Sequence, residues 1–430
     1  MKTHREVIVI GAGMAGLLTA YFLKEEGKDV LVLEAKEVAS GQTGRTTAKI
    51  TSQHGLKYSK LLKDVGEKKA RLYARANEAA IEAFARLVQT KKIDCDFERV
   101  TSYLYSKVDE MKLKEELNAA TCLGIDAFWT EETELPFEVA GAVGFRNQAQ
   151  FCAMDFLKYI AGELEILEHT MVEKVRGKKV FTKDKVYTAD HIVMATHYPM
   201  RNVPGFYFLR QHQERSYVLE LSECEKINGM YYGIDEDGHS FRQAGEQLLL
   251  GGESGRTGER VCGIAFASLE EAARKYYPNC KVESRWAAQD CMPHDGIPFI
   301  GKYSMFTPHL YVATGFQKWG MTTSMVAAMI LRDEICGRKN PFEALYRPQR
   351  LNFRAGTANF LHDVGMSIKG LTKGWFGPKD LRCSHMGCGL EWNPDEKSWD
   401  CPCHGSRFSK DGNLLDNPAT NNIKIKHRNQ

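Results

Sequence analysis

Residues 6–10 read Glu-Val-Ile-Val-Ile and run directly into Gly11-Ala-Gly13-Met-Ala-Gly16, a helical stretch over 17–24, and a second apolar run at 30–33 that ends in Glu34. Strand, spaced glycines, helix, strand and acid in that order predict a parallel βαβ unit with the glycine turn at the carboxyl end of its first strand. The glycines let the backbone approach a diphosphate, the helix N-terminus faces its charge, and Glu34 reaches a ribose hydroxyl. A glycine triplet alone would be weak evidence, but in this setting it predicts a bound dinucleotide. It does not choose between FAD and NAD.

The other end of the chain carries different chemistry. Residues 383–388 read Cys-Ser-His-Met-Gly-Cys and, after a gap of twelve, residues 401–406 read Cys-Pro-Cys-His-Gly-Ser. Structural zinc sites usually take two cysteines from one loop and two histidines from another. Here each loop supplies one Cys and one His, as C-x-H and C-x-x-H, plus a spare Cys. That pattern fits a Rieske [2Fe-2S] centre better, with two thiolates on one iron and two neutral imidazoles on the other. It resembles the bc1-like branch of Rieske proteins. The resemblance implies that Cys383 and Cys401 ligate one iron and His385 and His404 the other, that Cys388 and Cys403 form a disulfide, and that Ser406 bonds a cluster sulfur. Phe408 stands where that family has a tyrosine, and losing a hydrogen bond to sulfur lowers the expected potential.

With 430 residues, 43% apolar and 26% charged, the chain has room for two or three domains. A net charge of +3 and the lack of a long Lys/Arg block, despite a basic stretch at 369–379, argue against nucleic acid as a partner. No apolar run approaches the roughly 18 residues that span a bilayer, and the N-terminus enters a strand at once. The expectation is a soluble cytoplasmic protein. Eight of the twelve cysteines lie singly outside the C-terminal loops, as in reduced cytosolic enzymes.

Four further segments resemble the FAD-dependent D-amino-acid and sarcosine oxidase superfamily, its glycine-oxidase-like group in particular. They are Ser40-Gly41-Gln42-Thr43-Gly44-Arg45-Thr46-Thr47, residues 172–175, residues 191–196, and the pair Asp295-Gly296 to Gly301 with residues 310–321, followed by a helix over 322–334. The resemblance implies FAD as the cofactor, with Arg45, Thr46 and Thr47 beside its phosphates and flavin, Val175 against the adenine, and Thr196 on a strand returning to the sheet. It places Gly315, Gly320, Met321 and Thr322 around the flavin pyrimidine, where a helix N-terminus stabilises negative charge on reduced flavin. Lys318 could add charge there, although a solvated loop lysine is its ordinary reading. Flavoproteins ending in a Rieske domain form a family of their own, the YhfW-like proteins, which this arrangement resembles.

The fold class implied is α/β: a Rossmann-type FAD-binding domain with an inserted antiparallel-sheet substrate domain, and a small all-β Rieske module at the C-terminus. The FAD-dependent part takes residues 1–350, with FAD-binding stretches at about 1–90, 145–205 and 285–350 and substrate-domain stretches at about 93–145 and 205–285. An amphipathic helix is predicted over 67–90 from Tyr73, Ala76, Ala80, Phe84 and Leu87. Tyr217, Tyr231, Tyr232 and Phe241 are candidates for a substrate pocket, though ordinary core is their plainer reading. The glycine-rich stretch 351–378 reads as a linker with one short helix at 358–364. Residues 379–430 then form a truncated Rieske module, too small to bury much core without its cluster, a disulfide and the FAD domain.

In the resembling oxidases a C–N bond is oxidised at the flavin. Here the implied function is an amine or amino-acid dehydrogenase whose reduced flavin feeds a Rieske cluster and then an external one-electron acceptor. The alternatives are a reductase fed by a ferredoxin-like donor through the cluster, and a redox sensor without turnover. Two carboxylate clamps of the family are missing: Asp290 replaces the arginine of the glycine and D-amino-acid oxidases, and Thr322 the lysine of the sarcosine oxidases. If Asp290 faces the pocket, with Lys318 a second candidate there, the substrate is a cationic amine lacking an adjacent carboxylate. Otherwise Asp290 is a structural acceptor.

Overall fold

The computed structural model describes residues 3–259, 263–350 and 353–425. Residues 351 and 352, where the expected linker begins, and 426–430, at the end of the expected Rieske module, lie outside them.

Three sheets organise the molecule. The first has eight strands, six of them in the order Phe299–Lys302, Leu310–Thr314, Val186–Met194, His4–Ile10, Val30–Leu33, Ile166–Leu167. Its centre is parallel: His4–Ile10 lies between Val30–Leu33 and Val186–Met194, and Val7, Ile8 and Val9 are wholly buried. Continuous apolar strands are what a parallel sheet covered on both faces requires. The helix Met14–Glu25 follows the glycine turn and packs on one face with Gly320–Ile335. Gly11 sits at φ +104°, and a side chain on Gly16 would strike the Gly11 carbonyl, so the third glycine closes the helix onto the turn. The helix Glu67–Lys91 buries Tyr73, Ala76, Ala80 and Phe84, as its periodicity predicts.

The second sheet has nine strands and roofs the first. Its main path runs Lys281–Pro293, Gln211–Ser222, Gln247–Arg256, Ser240–Ala244, Met230–Gly233, Glu98–Ser106, Gly141–Gln150, Lys49–Ile50. One end strand, Lys49–Ile50, comes from a stretch assigned to FAD binding, and the other, Lys281–Pro293, straddles the expected boundary at about 285. Both hydrogen-bond to roof strands.

The third sheet is small and C-terminal: Glu391–Asn393, Ser398–Asp400, Arg407–Ser409 and Leu414–Asp416 in sequential antiparallel order. Its core contains little beyond Cys383, Cys388, Leu390, Cys401, Cys403, Phe408 and Ala419.

The expected linker is the main departure. Phe353–Phe376 is one helix of 24 residues, not a loop with a short helix at 358–364. Its later glycines read as breakers because their purpose is tertiary. A side chain on Gly370 would meet the Cys403 sulfur, and one on Gly374 the Gly387 carbonyl, so the helix lies directly against the loops bearing the Cys/His motifs. No helix among the described residues is long and apolar enough to cross a membrane.

Candidate active site and metal centre

A cavity of about 430 Å³ lies between the first two sheets. At one end stands Glu34. One carboxylate oxygen accepts from the Ala12 amide at 2.7 Å and the other from the Lys36 amide at 2.9 Å. Each oxygen keeps a second lone pair for a ribose hydroxyl. Gly11 and Gly13 line the wall, as do Arg45, Thr46, Thr47 and Thr196. The 42–47 turn is held from the roof: Trp286 donates to the Arg45 carbonyl at 2.9 Å and Arg242 to that of Thr47 at 2.7 Å.

At the far end the wall is Gly315, Lys318, Gly320 and Met321, at the N-terminus of Gly320–Ile335. Gly315 is at φ +77°, and Gly320 has open space where a side chain would stand. A long cavity with a glycine cradle, an acid at one end and a helix N-terminus at the other fits FAD.

Three predicted cofactor contacts lie elsewhere. Gly16 serves the helix–turn packing and does not reach the cavity. Val175 is in the core beneath the Val172–Arg176 strand; a register shift between Val172 and Lys174 turns the strand, so Thr170, Met171 and Val172 line the wall instead. Thr322 is buried and donates to the Thr51 carbonyl at 3.0 Å, on a different face of the helix from Met321 and Ser324, which line the space.

Asp290 does line the cavity, and burial pushes its carboxyl up to about 7, opposed by Lys318 and helped by Glu214. Lys318 is not a solvated loop lysine. Its ammonium is 3.8 Å from Glu214, and although burial disfavours its charge, Tyr232, Glu214 and Asp290 together hold its pKa above the ordinary value. Glu214 also meets His212 at 3.4 Å. Of the aromatics, Tyr217 and Tyr232 line the cavity, whereas Tyr231 and Phe241 are core. Nothing in the sequence marked Glu214, whose partner Lys318 and facing residue Asp290 are both distant in the chain.

The two C-terminal loops bring Cys383, His385, Cys401 and His404 together. Cys383, Cys401 and His404 are buried, and the thiols of Cys383 and Cys401 hydrogen-bond each other. The His385 and His404 rings meet edge to face at 5.0 Å. His385 Nε2 lies 2.8 Å from the Asn202 carboxamide oxygen, while its Nδ1 is buried without a hydrogen-bond partner. A proton on Nε2 leaves Nδ1 with a lone pair for metal, and burial pushes this imidazole down to about 4, keeping it neutral. Cys388 and Cys403 are disulfide-bonded. Ser406 hydrogen-bonds Cys383, and Phe408 is wholly buried. Two thiols and two imidazoles, with Cys383, Cys401 and His404 buried, fit a [2Fe-2S] cluster.

The C-terminal module rests on the outer face of the roof. Gln213 donates to the His404 carbonyl at 2.7 Å and Gln289 to the Gly405 carbonyl at 2.8 Å. Arg215 grips Glu396 through both its Nε and its Nη2. Arg407 meets Asp400, Asp416 and Glu396 at 3.0, 3.0 and 2.9 Å.

Comparison with known proteins agrees with this geometry. Residues 6–334 match the FAD dependent oxidoreductase family and 373–426 the Rieske [2Fe-2S] domain. YhfW of Bacillus subtilis (strain 168), named as a Rieske 2Fe-2S iron-sulfur protein, is 32% identical over 98% of this chain and 93% of its own length. Glycine oxidase from Geobacillus kaustophilus superposes with a TM-score of 0.70 at 18% identity, covering 81% of this chain and all of that one. L-proline dehydrogenase from P. horikoshii gives 0.68 at 18%, covering 81% and 98%. The chain thus belongs to the FAD dependent oxidoreductase family, and it carries a Rieske [2Fe-2S] domain behind the flavoenzyme fold.

Proposed function

We propose that this oxidoreductase oxidises a C–N bond of a cationic amine or amino acid and sends the electrons through its own Rieske cluster to an external acceptor. FAD supplies a two-electron acceptor and the cluster a one-electron carrier. The observation that carries the reading is the alternation of one strand pair. Glu214 and Asp290 pair directly in the antiparallel ladder of Gln211–Ser222 with Lys281–Pro293. Successive side chains of a strand point to opposite faces. Asp290 and Ser216, which stands diagonally across the ladder from it, therefore line the cavity, while Gln213 and Gln289 reach through the other face to the backbone of the second cluster loop. One sheet thickness separates the two sites.

Within the cavity Asp290 is the group that meets an ammonium. Lys318 is engaged by Glu214 and keeps Asp290 from being wholly protonated near neutral pH. The missing arginine and lysine clamps favour amines that lack a carboxylate beside the reacting carbon. Amino-acid substrates remain compatible with the solved structures of similar fold.

The test is anaerobic. Candidate amines and amino acids are mixed with purified holoprotein while flavin absorbance and the reduced-cluster EPR signal are followed together. The expected result is flavin bleaching followed by the cluster signal. Bleaching with a cluster that stays oxidised would remove the internal relay from the proposal, and no bleaching by any amine would remove the substrate class.

A further inference from the structure

We infer that the Rieske domain is a structural part of the FAD site, so that dinucleotide and cluster each hold the other in the protein. Nothing in this depends on the substrate or on the direction of electron flow. The cavity that contains the glycine cradle is walled on one side by the last strand of the Rieske domain and the residues after it: Leu414, Leu415, Asp416, Asn417, Ala419 and Thr420.

Those residues are fastened to the dinucleotide-binding loops themselves. Lys36, two residues beyond Glu34, donates to the Leu415 carbonyl at 3.1 Å. Gln42, in the turn that contains Arg45, donates to Asp416 at 2.9 Å and accepts from the Gln289 amide at 2.6 Å. Asn417 donates to the Tyr198 carbonyl at 2.8 Å and also to that of Thr196, which lines the cavity. The wall thus spans from the Glu34 end towards Asp290.

Asp416 does not oppose an anionic ligand there. Burial works against its ionisation, but the guanidiniums of Arg407, Arg215 and Arg45 more than offset this, and its charge is matched by theirs.

The dependence runs both ways. The Rieske domain has a small core built around the four cysteines and little else. A domain of that size depends on its metal and its disulfide for folding. Without the cluster its last strand loses its footing, and the FAD cavity opens on that side. By linkage, FAD that binds better to the closed cavity must protect the cluster by the same factor.

The test uses full-length holoprotein. After an iron chelator has stripped the cluster, FAD release, read as the rise of free-flavin fluorescence on dilution, is expected to be at least tenfold faster than from the untreated protein. Protein prepared without FAD is expected to lose iron to the chelator correspondingly faster than protein with FAD. Asn417→Ala keeps all four cluster ligands and is expected to release FAD several-fold faster with its cluster EPR signal intact. If that variant loses its cluster, its release should equal that of the stripped wild type. FAD release within twofold of the untreated protein, in stripped wild type or in Asn417→Ala in either cluster state, overturns the inference.

Discussion

Glu214 and Asp290 stand opposite one another on adjacent antiparallel strands, with the Lys318 ammonium 3.8 Å from the first and in electrostatic reach of the second. Two acids on facing positions would repel if both were ionised and unscreened. Burial pushes both carboxyls up, but the His212 hydrogen bond and then Lys318 hold Glu214 below the ordinary carboxyl range, while Asp290, without such a bond, rises to about 7. The result is a carboxyl that changes charge near neutral pH inside the cavity.

Asp290 should therefore impose a pH dependence. Amine oxidation, read as kcat/KM, is expected to climb as pH rises through 7 and then level off. Asp290→Asn should abolish the climb and lower kcat/KM roughly 10- to 100-fold, the worth of one charge-assisted hydrogen bond. Stability should move the opposite way. Folding raises this carboxyl above its reference 3.8, so the folded protein keeps a proton that the unfolded chain has lost. Wild-type stability accordingly falls between about pH 4 and 7. Asp290→Asn should melt higher than wild type at pH 8 and equal to it near pH 3.5, by scanning calorimetry.

Gln213 ties the roof to the second cluster loop. Its amide nitrogen holds the His404 carbonyl at 2.7 Å, and its carbonyl oxygen accepts weakly from the thiol of its ladder partner Cys291 at 3.7 Å. Gln213→Leu keeps the volume and removes these two bonds and the one to the Asn417 carbonyl at 3.0 Å. Flavin bleaching by substrate should keep its rate, whereas the reduced-cluster signal should appear several-fold later in freeze-quench EPR.

The Cys388–Cys403 disulfide closes a loop with a sequence separation of 15. A loop of that length is worth about 3 kcal/mol in chain entropy. Cys388→Ser should lower the midpoint at which urea bleaches the cluster absorbance and speed iron loss to a chelator.

Gly374→Ala tests why the long helix is glycine-rich. In an exposed helix the change would gain about 1 kcal/mol. Here the new methyl would run into the Gly387 carbonyl and stand 3.0 Å from the Gly389 amide nitrogen. Overpacking of this kind costs about 1–3 kcal/mol. The expected result is a lower cluster-bleaching midpoint in urea, and an unchanged or higher one would show that the contact is not tight.

Sequence alone located both cofactor sites because their determinants are local. The glycine turn needs six consecutive positions, Gly11 to Gly16, and each iron–sulfur loop needs one short motif. What it could not place were contacts made by fold. Asn202 is distant in sequence from His385, Glu214 from Lys318, and Gln42 from Asp416. The helix Phe353–Phe376 was missed for a related reason: Gly370 and Gly374 lower helix propensity locally, and only the neighbouring loop explains them. Val175 and Thr322 were misplaced by a strand irregularity and by one helical position, shifts that no residue type announces.

The strand Gln211–Ser222 faces the cavity with one set of side chains and the C-terminal module with the other. Its phase is therefore a functional constraint as well as a structural one. A one-residue slip turns every side chain of a strand to the opposite face. A one-residue insertion just ahead of Gln213 would put it in Glu214's place and aim the acid at the iron–sulfur loop. Point changes here can be graded, but frame shifts of a single residue cannot, and natural length variation in this protein must fall outside that ribbon.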